Sequence, residues 1–160
     1  MHAGQVNQPD YRSPQFDDER EHIHRLLDTL HDAASKAHFD RYFACYRDDA
    51  IFLGTDASER WTVSQFKDYA KPIFDAGNGW LYVPKQRKTE IVSDSIAVFD
   101  EIPVSAKYGE CRGTGVAMKN ESAIPNDEFG GWRVRQYSLT FLVPNDLAGD
   151  ITARIKAGAK

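Results

Sequence analysis

The chain has 160 residues, 41% of them hydrophobic and 28% charged, and a formal net charge of −4. That length suits one domain with a real core, and the balance is that of an ordinary soluble protein. The negative charge, without a Lys/Arg-dense stripe, argues against nucleic acid as a partner. No apolar run nears the roughly 20 residues of a membrane span, which argues against a membrane.

Residues 1–16 are polar and punctuated by proline, and read as a flexible N-terminal arm without the apolar stretch of a signal peptide. A cytoplasmic location is the expectation. Helical spacing of Ile23, Leu27, Leu30, Ala34 and Ala37 predicts a helix over residues 17–36. Asp17, Asp18, Glu19 and Glu21 crowd its first turns, where the macrodipole favours negative charge. Phe39, Tyr42, Phe43 and Tyr46 predict a second, short helix, and residues 50–53 a short strand. Thr62 or Ser64 can cap a third helix reaching residue 76, and Gly77-Asn78-Gly79 stops it.

From Trp80 the pattern is strand: residues 80–87 with 89–92, then 95–104, 109–119 and 132–143. A polar, proline-containing segment, 121–129, separates the last two. Residues 147–160 form a tail with a short helix at 147–156. Helices first and a meander afterwards imply an α+β fold for a domain over residues 17–146. Cys45 and Cys111 match neither a disulfide framework nor a metal motif, and read as small buried hydrophobes.

Strand alternation puts Trp132, Val134, Gln136 and Ser138 on one face of the last strand and Arg135, Tyr137, Leu139 and Phe141 on the other. Neither face is cleanly polar, so both are expected to be covered. A turn at Ala106-Lys107 would set Glu101 opposite Arg112, Asp100 opposite Gly113 and Phe99 opposite Thr114. An even register in the next hairpin would bring Gln136 beside Thr114 and Trp132 near Met118. A slip of one residue would reverse these faces.

Several stretches resemble the nuclear transport factor 2-like superfamily, and within it the bacterial SnoaL-like branch. They are DTLHDAA at 28–34, FLGTDASERW at 52–61, VFDE at 98–101, RGTGVA at 112–117 and WRVRQYSLTFLVPND at 132–146. The resemblance implies a cone: a strongly curved antiparallel or mixed sheet wrapped round three N-terminal helices. It also implies a homodimer through the outer face of the sheet. Some members are cofactor-independent isomerases, dehydratases or cyclases that use a pocket carboxylate or histidine, and others only bind ligands or proteins. The chain departs from the best-understood enzymes of the superfamily: neither a pair of oxyanion donors nor a two-histidine arrangement can be placed.

The candidate catalytic residues are Asp100, Glu101 and His31. Asp100 and Glu101 are neighbours on one strand and face opposite sides, so one of them belongs inside the cone. A buried carboxylate suits a general base, or else an ion pair, for which Arg112 is the expected partner of Glu101. His31 lies beside the apolar stripe of the first helix, as a packing histidine or as an acid–base group. Trp61, Tyr82, Phe99, Arg112, Thr114 and Gln136 are the expected substrate-binding residues, as aromatic lining or polar orienters. Thr55, Asp56 and Glu59 form either a gate at the cone mouth or a plain polar turn. No metal site or cofactor is expected. The expected partner is a small apolar or cyclic molecule, and the alternative is a non-catalytic binding or protein-interaction module.

Overall fold

The computed structural model describes residues 9–120 and 125–158. The first eight residues of the expected arm, four residues of the polar segment and the last two of the tail lie outside them. Asp10 to Phe16 fold back on the first helix, where the Arg20 guanidinium donates to the carbonyls of Tyr11 and Ser13, both at 2.9 Å.

Helix α1 spans Asp17–Ser35 and α2 spans Phe39–Ala44. Strands β1 (Tyr46–Leu53) and β2 (Arg60–Thr62) form a hairpin that leads into α3 (Val63–Asp75). Thr62 caps α3 and Gln65 answers it in a reciprocal capping box. Strands β3 (Val83–Ser93), β4 (Ile96–Ser105), β5 (Gly109–Lys119) and β6 (Trp132–Phe141) form the antiparallel meander, and α4 (Ala148–Lys156) follows. The sheet order is β2-β1-β6-β5-β4-β3, with β1 parallel to β6, so the sheet is mixed.

Helix α1 touches β3 at one edge of the sheet and β6, three strands away. The sheet therefore curls round the helix. Ile23, Leu26, Leu27, Leu30, Ala33 and Ala34 fill the concavity. At about 25 cal/mol per Å² of apolar surface, burial of this stripe is the main force that seats the helix. Glu19 fixes its first turn: its carboxylate accepts from Lys119 Nζ and from the indole of fully buried Trp132, each at 2.6 Å. That bond satisfies an indole N–H which would otherwise be buried without a partner. His22 packs beside Gly130 with Nδ1 buried.

Two local features set which residues face inward. The β4–β5 hairpin pairs Ser105 with Gly109 and has three linking residues, not two. Gly109, at φ +72°, adopts the left-handed conformation that such a loop requires. The register is therefore one residue off the expected one: Glu101 opposes Gly113, Asp100 opposes Thr114, and Phe99 opposes Gly115. The second feature is a bulge on β6. Val116 pairs with Gln136 and Ala117 with Val134, which leaves Arg135 without a ladder partner. Trp132 and Val134 face the core before it, and Tyr137 after it. One extra residue switches the inward parity, which is why neither face of this strand reads as polar. The second register also differs: Gln136 pairs with Val116, Thr114 with Ser138, and Trp132 with Lys119.

Candidate active site

The inner face of β4 carries Glu101, whose side chain has no exposed surface. A bare carboxylate in that position would be strongly disfavoured. Three elements supply donors to it. His31 Nε2, from α1, lies 2.5 Å from Oε1. The Tyr137 hydroxyl, from β6, donates to the same oxygen at 2.8 Å. Arg87 Nε, from the directly opposed position of β3, donates to Oε2 at 2.9 Å. Arg87 is held in turn, because its Nη1 donates to Asp28 Oδ1 at 2.7 Å and to the His24 carbonyl at 3.2 Å. Its Nη2 is buried without a partner among the described residues.

Burial pushes Glu101 towards the protonated form. The His31 hydrogen bond, the charges of His31 and Arg87, and the Tyr137 hydroxyl outweigh it and hold the carboxyl below the usual glutamate range. Burial and the adjacent Glu101 charge push Tyr137 far above an ordinary tyrosine, so it stays a donor. With Glu101 ionised, Nε2 is the imidazole nitrogen that carries the proton in this bond. Nδ1 is then the ring atom left to gain or give one.

Gly113 makes this possible. A Cβ there would collide with the Tyr137 hydroxyl and lie 3.2 Å from Glu101 Cγ. The space over Gly113 is filled by Tyr137 and Glu101. A Cβ at Gly115 would strike the Phe99 ring in the same way.

His31, 11% exposed, lines a cavity of about 30 Å³ together with Tyr137, Phe52, Trp80, Tyr82 and Leu139. That space suits one water molecule or one small substituent. Outside it lies a vestibule of about 270 Å³, which shares Phe52, Trp80, Tyr82 and Leu139 with the inner cavity. Trp61, Tyr69, Tyr108, Phe141, Gly54 and Glu59 are among its other walls. Trp61, Phe52 and Tyr137 stack in series, with centroids 6.2 and 6.1 Å apart, from the mouth towards Glu101. Burial pushes the Tyr82 hydroxyl up to about 12. A larger groove of about 560 Å³ runs between Asp10–Arg12, Arg20 and residues 89–92. It shares no residue with the dyad or the vestibule.

The expected site residues thus divide. His31, Trp61 and Tyr82 line the two cavities, and Glu101 lies buried behind His31. Phe99 is buried behind Tyr137, 5.8 Å between centroids, and lines neither cavity. Asp100, Arg112, Thr114 and Gln136 are exposed on the outer face of the sheet, a consequence of the hairpin register and the β6 bulge. The ion partner of Glu101 is Arg87, not Arg112. Alternation could have found Arg87: it lies four residues before buried Ile91 and so shares its face. Among the described residues no group of three His, Cys, Asp or Glu side chains could hold a metal ion. No helix among them is long and apolar enough to cross a membrane.

A curled mixed sheet closed over three helices, with a buried, hydrogen-bonded carboxylate on its concave floor, defines a cone-shaped α+β fold. The SnoaL-like domain model matches residues 23–144, and the chain belongs to that family. No curated protein sequence matches it. Among solved structures, a domain of unknown function with a cystatin-like fold from Nostoc punctiforme superposes with a TM-score of 0.70 at 11% identity, covering 88% of this chain and 87% of that one. A nuclear transport factor 2-like protein of unknown function from Pseudomonas putida gives 0.62 at 14%, covering 82% and 90%. A candidate scytalone dehydratase from Novosphingobium aromaticivorans gives 0.62 at 13%, covering 79% and 85%. Identities this low establish the shared fold alone.

The lowered Glu101 carboxyl has a consequence for stability. The folded chain binds this proton less readily than the unfolded chain, whose glutamates titrate near about 4.3. The stabilisation is therefore complete above that value and is lost as pH falls through the lower, folded-state value. Urea midpoints measured from pH 7 downwards should fall steeply below about pH 4. Glu101→Gln should start lower at pH 7, by about 3–5 kcal/mol for a buried pair broken on one side, and show a shallower acid slope. An unchanged acid slope in this variant would remove Glu101 as the source.

Proposed function

We propose that this protein binds a small, largely apolar, ring-bearing molecule in the vestibule and moves a proton on it without a cofactor. Isomerisation, dehydration or aldol-type cyclisation are the reactions that suit such a site. His31 is the general acid–base group. Glu101 fixes its tautomer and orientation and stabilises the imidazolium when it forms, the role a buried carboxylate plays beside a catalytic imidazole. Tyr137 and Arg87 hold Glu101. Trp61 and Tyr82 contact the ligand. Glu101 itself is a poor base, because both of its oxygens are engaged and its carboxyl is held low. Asp100 lies outside the pocket and has no part in this scheme.

The observation that carries the reading is the 2.5 Å contact between His31 and Glu101 where the imidazole borders the inner end of an aromatic pocket. The inner cavity is too small for a ring. The ligand body therefore stays in the vestibule, and one substituent or one water reaches the imidazole. The candidate dehydratase among the structural neighbours is compatible with this chemistry. A second reading, a non-catalytic binding module, is favoured by the complete pairing of Glu101 and the tightness of the inner cavity.

A thermal-shift screen with ring-containing carbonyl compounds should find a ligand that raises the melting temperature, since binding to the folded form alone stabilises it. Turnover of that ligand should drop about 10²–10⁴-fold in His31→Ala, with its binding retained. Binding without turnover by the wild type would decide for the binding module.

The assembly we propose is a homodimer through the outer face of the sheet, with no nucleic-acid or membrane partner, in the cytoplasm. Val98, which alternates with buried Ala97 and Phe99, is exposed on that face. Light scattering should give twice the chain mass of 18.1 kDa. A monomer at all concentrations would exclude the dimer.

A further inference from the structure

The walls of the vestibule are electrically one-sided. Of its twelve lining residues eight are aromatic, and Glu59 is the single ionisable group of charged type, with no Lys, Arg or His among them. Among the described residues Glu59 has no cation within salt-bridge distance, and only its Oε2 accepts a protein hydrogen bond, from the Asp56 amide at 3.2 Å. The β1–β2 loop holds it in place. The Gly54 amide donates to the Glu59 carbonyl at 2.8 Å, and the Glu59 side chain lies across Gly54 so closely that a Cβ there would collide with the carboxylate. Gly54 thus lets a carboxylate lie against the pocket wall. Trp61, the second residue after it, stacks on Phe66 and packs against Tyr69. On the rim, Lys107 Nζ already sits 4.8 Å from the centre of the Tyr108 ring, a cation on one of the same aromatics.

Aromatic faces carry negative potential and attract a cation, most strongly one that is weakly hydrated. A carboxylate with no cation beside it in a half-buried wall adds to that field. The vestibule lining offers a carboxylate or phosphate ligand no cationic side chain, and Glu59 repels it. The geometry points to a ligand that carries an amine or quaternary ammonium group, seated between Glu59 and the Trp61–Tyr69 side of the mouth, with its apolar body turned inward. This rests on the pocket reading above and specifies its substrate class: an apolar, ring-bearing amine. A cationic head at Glu59 leaves the far end of the ligand to approach His31.

The test uses the full chain and the quenching of tryptophan fluorescence, since Trp61 and Trp80 both line the vestibule. The probes are benzyltrimethylammonium, its uncharged carbon isostere neopentylbenzene, and phenylacetate. The cation should bind about tenfold more tightly than the isostere, and phenylacetate more weakly than either. Glu59→Gln keeps an acceptor for the Asp56 amide. It should weaken the cation severalfold and leave the isostere unchanged. Equal affinity for cation and isostere, or an equal loss of both in Glu59→Gln, would overturn the inference while the pocket reading stands. Binding of none of the three would overturn both.

Discussion

The buried carboxylate of Glu101 is the constraint on which the rest of the structure turns. An ion with no exposed surface persists only if the fold delivers donors to it, and here they come from three separate elements. Helix α1 supplies His31, the edge strand β3 supplies Arg87, and β6 supplies Tyr137. Arg87 reaches Glu101 across the β3–β4 ladder and Tyr137 reaches it over Gly113, while His31 reaches it because the sheet curls round the helix. The polar network and the cone therefore specify one another. A flatter sheet would take His31 away from the charge, and an apolar residue at this point would leave Arg87 Nε without its acceptor.

The same network sets the division of labour in the pocket. Glu101 is too well satisfied to accept a proton from a ligand, so the proposed proton transfer is assigned to the imidazole beside it. The aromatic walls fill most of the cone and leave room for one substituent beside His31, with the ligand body outside. Their single carboxylate, Glu59, sits at the mouth and not on the floor. In the proposed function the charged groups are thus separated in role: the inner pair handles the proton, and the outer acid selects what enters.

Much of this was legible in the sequence, for physical reasons that can be named. The apolar stripe of α1 and the aromatic spacing of α2 are periodic signals, and they announced both helices. The boundaries of β5 followed from its composition. That His31 faces the sheet followed from its place beside Leu27 and Ala34. The choice between Asp100 and Glu101 did not follow. It depends on one residue of register, and that register is set by the left-handed backbone of Gly109, which adds a third linking residue to the hairpin. Nor did alternation along β6 reveal that Tyr137 faces inward with Trp132, because the bulge at Arg135 changes the parity between them. Arg87 is not legible from the β4–β5 hairpin, because the sheet supplies the ion partner of Glu101 from β3.

The most direct measurement of the central claim is the tautomer of His31, read from long-range proton–nitrogen correlations on the ¹⁵N-labelled protein at neutral pH. The account predicts that Nε2 carries a slowly exchanging proton bonded to Glu101, and that this signal is lost in Glu101→Gln. A ring protonated at Nδ1 alone, or one averaging freely between tautomers, would contradict it.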